Sequence, residues 1–323
     1  MRTINFMRSG SSHKNYALRI GRYMIMFSGS CEDTVTVREP PAPPANRIVG
    51  GRPTTIETYP YMAYLVSHYT MRQKLLLGFC GGVILTQHHV LTAAHCLFRI
   101  INDTTILRPS KVDIRVGSTY NDRGGSVHVT SKIVVHESYN VPLNDVAVLV
   151  LSDSISNYRS SSVQPAVIPP GGYVVPDNAS VVAVGWERTV ANSLPLGLRH
   201  VGLRNVDRDT CSARWGVQGP DSVLCAALLD VGGAGVCHGD SGGPLVYNGV
   251  VVGVASFSRL DRPCGDSFYP QVFMRVASYT DWINNIVRQN QVKRSRSPNS
   301  TAAAHVNFGL MLLASIWIIY SKN

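Results

Sequence analysis

The strongest candidate for covalent chemistry in the sequence is a serine flanked by glycines. Ser241 lies in the segment HGDSGGP, and Asp240 directly precedes it. Glycines allow positive φ and let another chain approach the backbone closely. A serine hydroxyl is a weak nucleophile at neutral pH, so chemistry at Ser241 requires a base from elsewhere in the chain. Without such a base, the segment would be a Gly-rich turn that exposes a serine.

A histidine and an aspartate upstream supply what the serine lacks. His95 lies in the motif TAAHC, and Asp145 directly precedes the apolar run VAVLVL. Taken singly, His95 could be a structural histidine and Asp145 could cap a turn. Together with HGDSGGP, these segments resemble the chymotrypsin/trypsin family of serine endopeptidases, in the order His, Asp, Ser that differs from the order in subtilisin. The resemblance covers residues 48–289.

The family resemblance implies a role for each of these residues. Ser241 would attack a peptide carbonyl, His95 would take the serine proton, and Asp145 would hold the imidazole in the required tautomer. The backbone N–H groups of Gly239 and Ser241 would bind the oxyanion. Within the family, the segment Tyr269–Phe273 resembles arthropod chymotrypsin-, elastase- and brachyurin-like enzymes. The alternative from another class is a non-catalytic binding protein that keeps the same fold.

Arg47 and Ile48 form a candidate activation site. The Pro-rich segment 38–46 indicates an extended linker, and RIVGG follows it. The resemblance implies a zymogen. Cleavage after Arg47, by a protease with Arg specificity, would free the α-amine of Ile48, which would fold inward and pair with Asp240. A buried carboxylate is costly unless it is paired, so this pair would order the segment around Ser241.

The resemblance also implies a specificity pocket beside Ser241. Gly235 stands six residues before the serine, where trypsin-like members have an aspartate that pairs with Lys or Arg. The other pocket positions are Ser256, Phe257, Ser258 and Gln271. The floor therefore lacks a negative charge, and Gln271 adds an uncharged amide that takes up volume. We expect a preference for uncharged side chains of small to medium size before the scissile bond.

Seven cysteines occur without a Cys-x-x-Cys pair, which argues against a zinc ribbon or a thioredoxin-like motif. Spaced cysteines of this kind are typical of disulfides in an oxidising compartment, so an extracellular protein is expected. Sequence alone leaves the pairing open. The resemblance implies Cys80–Cys96, Cys211–Cys225 and Cys237–Cys264, with Cys31 left over.

The net charge of +10 suggests nucleic acid as a partner, but its distribution argues against one. Residues 48–287 carry 18 Lys and Arg against 17 Asp and Glu, so the basic excess lies in the two flanks. The expected partners are protein or peptide substrates, the activating protease and protein inhibitors. Asp122 is the only acidic residue in the loop Ser118–Gly125, which is too few carboxylates for calcium. Neither a metal nor a cofactor is expected.

Short apolar runs separated by glycine and polar residues dominate residues 59–276, as is typical of an all-β sandwich or barrel. The two halves suit two packed barrels, and the resemblance implies six antiparallel strands in each, the chymotrypsin-like fold. Four apolar residues stand at helical spacing near the end of this region: Trp282, Ile283, Ile286 and Val287. They predict one C-terminal amphipathic helix over Ala277–Gln289.

Two flanks complete the predicted domain organisation around a protease domain at 48–289. Residues 1–47 are expected to be a targeting or propeptide segment, although its best apolar core, Tyr23–Phe27, is shorter than a secretory signal requires. Residues 290–323 pass from basic to small to apolar and end in the stretch Phe308–Tyr320. That order is typical of a GPI-attachment signal, which would hold the protein at the cell surface. The alternative is a tail that packs on nothing.

Overall fold

The structure is a computed structural model in which the chain divides into two compact units, Met1–Pro44 and Ala45–Asn323. The residues that it describes are 16–20, 23–27, 50–101, 105–186, 197–237, 239–259 and 261–295. In the first unit, the strands β1 (Tyr16–Ile20) and β2 (Tyr23–Phe27) pair antiparallel as a hairpin. The candidate signal core therefore coincides with β2.

The first half of the second unit closes into a six-stranded antiparallel barrel. The strands of this half are β3 (Arg52–Pro53), β4 (Met62–Met71), β5 (Lys74–Thr86), β6 (His89–Thr92), β7 (Arg99–Ile101), β8 (Thr105–Leu107), β9 (Lys111–Val116), β10 (Ser126–Val135) and β11 (Ala147–Leu151). The strand order in the barrel is β10, β11, β6, β5, β4 and β9, and β9 pairs with β10 to close it. The burial of β9 alternates, because Val112, Ile114 and Val116 face the barrel interior while their neighbours are more exposed.

The second half forms another closed six-stranded antiparallel barrel. Its strands are β12 (Ser180–Gly185), β13 (Arg199–Val206), β14 (Val223–Ala227), β15 (Pro244–Tyr247), β16 (Val250–Phe257) and β17 (Gln271–Arg275). The strand order is β12, β15, β16, β17, β14 and β13, and the pairing of β12 with β13 closes the barrel. The short strand β3 also pairs with β13. The predicted all-β fold with two six-stranded barrels is confirmed.

Within the described residues, two α-helices accompany the barrels. In α1 (Arg208–Trp215), the carboxylate of Asp207 caps the N-terminus by accepting the N–H of Thr210, and Gly216 ends the helix in the left-handed conformation. The predicted C-terminal helix exists with different bounds. A 3₁₀ turn occupies Val276–Ser278, and α2 runs from Thr280 to Ser295.

The bounds of α2 differ from the prediction for a local reason. Tyr279, at φ −118° and ψ 1°, interrupts the helical backbone before Thr280. At the other end, the next helix-breaking residue in the sequence is Pro298, so the helix continues past Gln289 as a polar extension. Ile283 is 1% exposed, and it attaches the apolar stripe of α2 to the core.

Candidate active site

Two neighbouring strands of the first barrel bring His95 and Asp145 together. β6 ends at Thr92, and a short 3₁₀ helix, Ala94–Leu97, places His95 just beyond the strand end. β11 begins at Ala147, two residues after Asp145, and Ala147 lies opposite Thr92 in the antiparallel register. The end of β6 and the start of β11 therefore meet at one edge of the barrel.

The carboxylate of Asp145 accepts three hydrogen bonds, two of them from His95. Nδ1 of His95 lies 2.7 Å from Oδ2, and the His95 backbone N–H donates to Oδ1 over 2.7 Å. The hydroxyl of Ser256 donates to Oδ2 over 2.5 Å. An ionised carboxylate only accepts, so Nδ1 carries the proton of a neutral imidazole, and Nε2 is left to accept one.

Asp145 remains ionised although its side chain is only 4% exposed. Burial, the largest influence, raises the pKa of Asp145. The electrostatic interaction with the His95 ring and the hydrogen bonds from His95 and Ser256 outweigh burial and hold the pKa of Asp145 below its ordinary value of 3.8. The site therefore keeps a negative charge directly beside the His95 ring.

Ser241 approaches the same edge from the second barrel, on a turn that precedes β15. The turn is locked to the first barrel, because the N–H of Gly81 in β5 donates to the carbonyl of Ser241 over 2.7 Å. Gly242 has φ of +79°, and a Cβ there would lie 2.5 Å from the carbonyl oxygen of Gly81. A side chain at position 242 would push the serine turn away from the histidine, so the motif requires glycine.

His95 and Ser241 both line two cavities that flank them. The first cavity, about 400 Å³, also contains Asp145, and the second, about 480 Å³, also contains Gly239. Within the described part of the chain, no hydrogen bond joins the Ser241 hydroxyl to Nε2 of His95, which has Sγ of Cys96 at 3.9 Å. Catalytic hydrogen bonds are often long without a substrate and tighten when one binds.

Two backbone N–H groups on the serine turn have no acceptor among the described residues. Within the described residues, the N–H groups of Asp240 and Gly242 donate to the carbonyls of Cys237 and Ala255, whereas those of Gly239 and Ser241 make no hydrogen bond. Gly239 has φ of +100°, a conformation that favours glycine. Two unengaged donors next to a hydroxyl suit the stabilisation of an oxyanion.

The side chain of Gln271 fills the space in front of Gly235. Its Nε2 donates to the carbonyl of Val236 over 2.7 Å, and its Oε1 accepts the N–H of Val236 over 2.9 Å. Gln271 is 3% exposed, and a Cβ at Gly235 would lie 2.7 Å from Cδ of Gln271. The first cavity is lined by Val236 but not by Gly235 or Gln271, so it ends above this amide.

The predicted pocket wall and several unpredicted residues line the first cavity. Ser256, Phe257 and Ser258 form one wall, and Phe257 packs edge-on against Trp215 with ring centroids 5.4 Å apart. The sequence patterns did not single out Tyr139, Val141, Pro142, Arg259 and Arg262. These five lie in loops outside the family motifs, and strand periodicity marks no residue there.

Asp240 is fully buried behind the serine, at 0% exposure. Its Oδ2 accepts the N–H of Cys237 over 3.0 Å, and its carboxylate packs against Cα of Gly185, where a Cβ would collide with it. Gly50, the first described residue of the second unit, lies against the backbone of Gly233 and Ala234. Arg47 and Ile48 lie outside the described residues.

The three disulfides join Cys80 to Cys96, Cys211 to Cys225 and Cys237 to Cys264. The first fixes the turn that carries His95, and the third fixes the segment before Ser241 to the loop after Ser258. Cys80, His95 and Cys96 are close enough to surround a metal ion, but the two sulfurs are bonded to each other and offer no thiolate. Cys31 lies outside the described residues.

A two-barrel fold with histidine, aspartate and serine at the junction of the barrels defines the class of chymotrypsin-like serine proteases. The trypsin family model matches residues 48–283. Among curated proteins, alkaline trypsin B of Manduca sexta is 38% identical over 76% of this chain and 93% of its own length. Achelase-1 of Lonomia achelous is 42% identical over 65% of this chain and 95% of its own.

A solved structure with a similar fold is the scabies mite inactivated protease paralogue S-D1. It has a TM-score of 0.60 and 28% identity, and the match covers 75% of this chain and 97% of that one. The chain belongs to the trypsin family of serine proteases. It is a serine endopeptidase, and its substrates are proteins.

Proposed function

We propose that the protein hydrolyses peptide bonds through an acyl-enzyme on Ser241. The observation that carries this proposal is the 2.7 Å hydrogen bond between His95 and Asp145, in the cavity that Ser241 also lines. His95 takes the serine proton as Oγ attacks the carbonyl carbon, and the N–H groups of Gly239 and Ser241 hold the oxyanion. His95 then gives the proton to the leaving amine. Water, deprotonated by the same ring, releases the acyl group and restores the serine.

The proposed specificity is for uncharged side chains of small to medium size before the scissile bond. Both polar atoms of the Gln271 amide are engaged by Val236, so the floor offers no carboxylate to a substrate Lys or Arg. Burying an unpaired cation is costly. The relatives reported above include proteins named trypsins, and the difference proposed for this chain depends on Gly235 and Gln271.

A cleavage profile tests both the activity and the specificity. The activated enzyme should cleave after Leu, Met or Ala with kcat/KM about 10²-fold or more above that after Arg, because the cation has no partner in the pocket. Mass spectrometry of a digested peptide library measures this directly. Cleavage mainly after Arg and Lys would contradict the specificity, and no cleavage of any peptide would contradict the endopeptidase proposal.

Three variants separate the contributions of the pocket floor. Gln271→Gly removes the amide and should extend cleavage to Phe, whereas Gln218→Gly, at an exposed glutamine, is the control. Gly235→Asp alone should not admit Arg, since its Cβ would collide with Gln271. The double variant Gly235→Asp/Gln271→Gly removes that collision and should begin to admit Arg.

We also propose that cleavage after Arg47 activates the enzyme. The support is the fully buried Asp240 directly before Ser241, together with the contact of Gly50 with Gly233 and Ala234. A chain end two residues before Gly50 would enter the second barrel near the serine segment. The ammonium of Ile48 would then pair with Asp240 and order the oxyanion donors.

Blocking this cleavage should therefore impair catalysis. We expect Arg47→Gln protein, shown to be uncut by mass spectrometry, to have a kcat about 10²–10³-fold below that of cleaved enzyme, the range measured for loss of an oxyanion donor. Arg38→Gln, in the same Pro-rich region, is the matched control and should be cut and activated normally. An uncut Arg47→Gln protein with full activity would show that Ile48 has no part in ordering the site.

We propose an extracellular location, supported by three disulfides that suit an oxidising compartment. The proposed organisation keeps 1–47 as a targeting or propeptide segment, 48–289 as the protease domain and 290–323 as a linker and tail. No helix within the described residues is long and apolar enough to cross a membrane. Phe308–Tyr320 lies outside those residues, and the GPI-anchor interpretation gains no support from the relatives.

A further inference from the structure

The two cavities beside Ser241 are lined by more cations than anions. Among the described lining residues, Arg259 and Arg262 border the first cavity and Arg99 borders the second. Among the lining residues that the structure describes, the one carboxylate is that of Asp145, and its oxygens are engaged by His95 and Ser256. A peptide in this cleft would therefore meet positive charge on both sides of the serine.

On the side of the first cavity, Arg262 is the arginine that forms no ion pair within the described residues, although Asp261 is near enough to attract it. Arg259 is already neutralised, because Nε and Nη2 donate to the two oxygens of Asp261 over 2.7 and 2.6 Å. Arg262 is exposed, its guanidinium carbon lies 6.0 Å from the ring centroid of Tyr269, and it forms no ion pair within the described chain. The disulfide at Cys264 anchors this loop to the segment before the serine, so Arg262 is held at the cleft.

On the side of the second cavity, Arg99 occupies a similar position. Its side chain is exposed, and Nη1 donates to the carbonyl of Leu77 over a long 3.4 Å. Phe79 and Phe98 belong to the same lining. No ion pair involves Arg99 in the part of the chain that the structure describes.

The two cavities correspond to the two sides of a bound peptide. The first contains Ser256–Ser258, the wall proposed for the side chain that precedes the scissile bond, so it accommodates the acyl side. Among the described lining residues, the second cavity shares only His95 and Ser241 with the first, and it borders the Cys80–Cys96 disulfide of the first barrel instead of this wall. It is therefore assigned to the leaving-group side.

We propose that the cleft selects peptides with acidic side chains on both sides of the scissile bond, through Arg262 on the acyl side and Arg99 on the leaving-group side. The inference rests on the proposed function of this site. A guanidinium presents paired donors that match a carboxylate. Charges at the rim of a binding surface act mainly on association and on its salt dependence, so the selection should appear in kcat/KM.

Matched peptides that differ by Glu against Gln test this selection. Glu is placed at each of the second to fourth residues before the scissile bond, and at each of the first three after it, with Leu kept before the bond. We expect the better Glu position on each side to raise kcat/KM about three- to fivefold at low salt, the upper range for exposed ion pairs. In about 1 M NaCl the ratio should approach one, because the Debye length falls to about 3 Å.

Three variants assign the effect. Arg262→Gln should abolish the preference on the acyl side only, and Arg99→Gln on the leaving-group side only. Arg159→Gln, at an exposed arginine that lines neither cavity, should change neither ratio. Glu peptides that are no better than Gln peptides, or a preference that survives both Arg262→Gln and Arg99→Gln, would overturn the proposal.

A binding measurement keeps this test separate from catalysis. The same fluorescent peptide pairs are bound to Ser241→Ala protein, and their Kd values are compared by anisotropy with and without Arg262→Gln. If the Glu peptide binds more tightly than the Gln peptide, and this difference is lost in Arg262→Gln, the proposal is supported even if the unmodified enzyme cleaves no peptide. Equal Kd values for the two peptides would count against it whether or not the enzyme is active.

Discussion

Replacing Ser241 with alanine is expected to lower kcat for peptide hydrolysis by about 10⁶-fold, the scale seen when a triad nucleophile is removed. This corresponds to about 8 kcal/mol of barrier. The hydroxyl oxygen of Ser241 is the atom that bonds to the substrate carbonyl carbon. Ser241 is the only residue with a hydroxyl among residues 239–243. Steady-state assays on the best peptide from the cleavage profile measure the loss.

The Ser241→Ala protein should keep its fold, because the contacts that hold the turn belong to the backbone, including the bond from Gly81 to the Ser241 carbonyl. Its Tm should match that of the unmodified protein. Ser154→Ala, at an exposed serine, is the control for the substitution itself and should retain full activity. Activity of Ser241→Ala above about one hundredth of the unmodified value would contradict a covalent mechanism at this residue.

Asp145→Asn should lower kcat at neutral pH by about 10⁴-fold. Both oxygens of the Asp145 carboxylate accept hydrogen bonds from His95, whereas an asparagine amide has only one oxygen to accept them. The NH₂ group of the amide would donate a hydrogen bond to Nδ1 of His95, which would then be the unprotonated nitrogen. Nε2 would then carry the proton and could not take one from Ser241. The charge that stabilises the imidazolium would also be lost. Asp153→Asn, at an exposed aspartate shortly after β11, is the matched control and should leave kcat unchanged.

The pH dependence of stability gives a second measurement on the same pair of proteins. The pKa of Asp145 is lowered in the folded state, so its contribution to stability is fully present above the ordinary value of 3.8 and is lost as the pH falls through the lowered pKa. The difference in unfolding free energy between the unmodified protein and Asp145→Asn should therefore shrink in acid. A difference that grows below pH 3.8 would contradict the ionised state assigned to Asp145.

The fold could be predicted because short strands leave a local pattern in the sequence and because the family resemblance is strong. The disulfide pairing could be predicted only through that resemblance. Short strands separated by glycines predicted barrels, and TAAHC and GDSGGP identified the turns that the barrel edges bring together. The register of β6 against β11 then follows from the fold, and it brings His95 to Asp145. The start of the helix was missed because Tyr279, which is 2% exposed, has a non-helical conformation that no periodicity in the sequence reports.

The details of the cleft could not be predicted for a related reason. The sequence placed Gln271 in the pocket, but its bonds to Val236 decide that its amide blocks the floor rather than reaching a substrate. Arg262 is one residue of the loop between Ser258 and Cys264. It stands out as a candidate for binding an acidic substrate only once the neighbouring Arg259 is seen to be paired with Asp261. Side-chain partners across loops depend on three-dimensional placement, which residue types alone do not encode.

Labelling with a fluorophosphonate tests the central claim most directly, because such a probe forms a bond only with an activated serine. The chain is cleaved after Arg47, treated with the probe, digested and mapped by mass spectrometry. We predict one adduct per chain on Ser241, none in Ser241→Ala, and strongly reduced labelling in Asp145→Asn. Absence of any adduct on Ser241 in the cleaved protein would contradict the account and support a non-catalytic binding protein with the same fold.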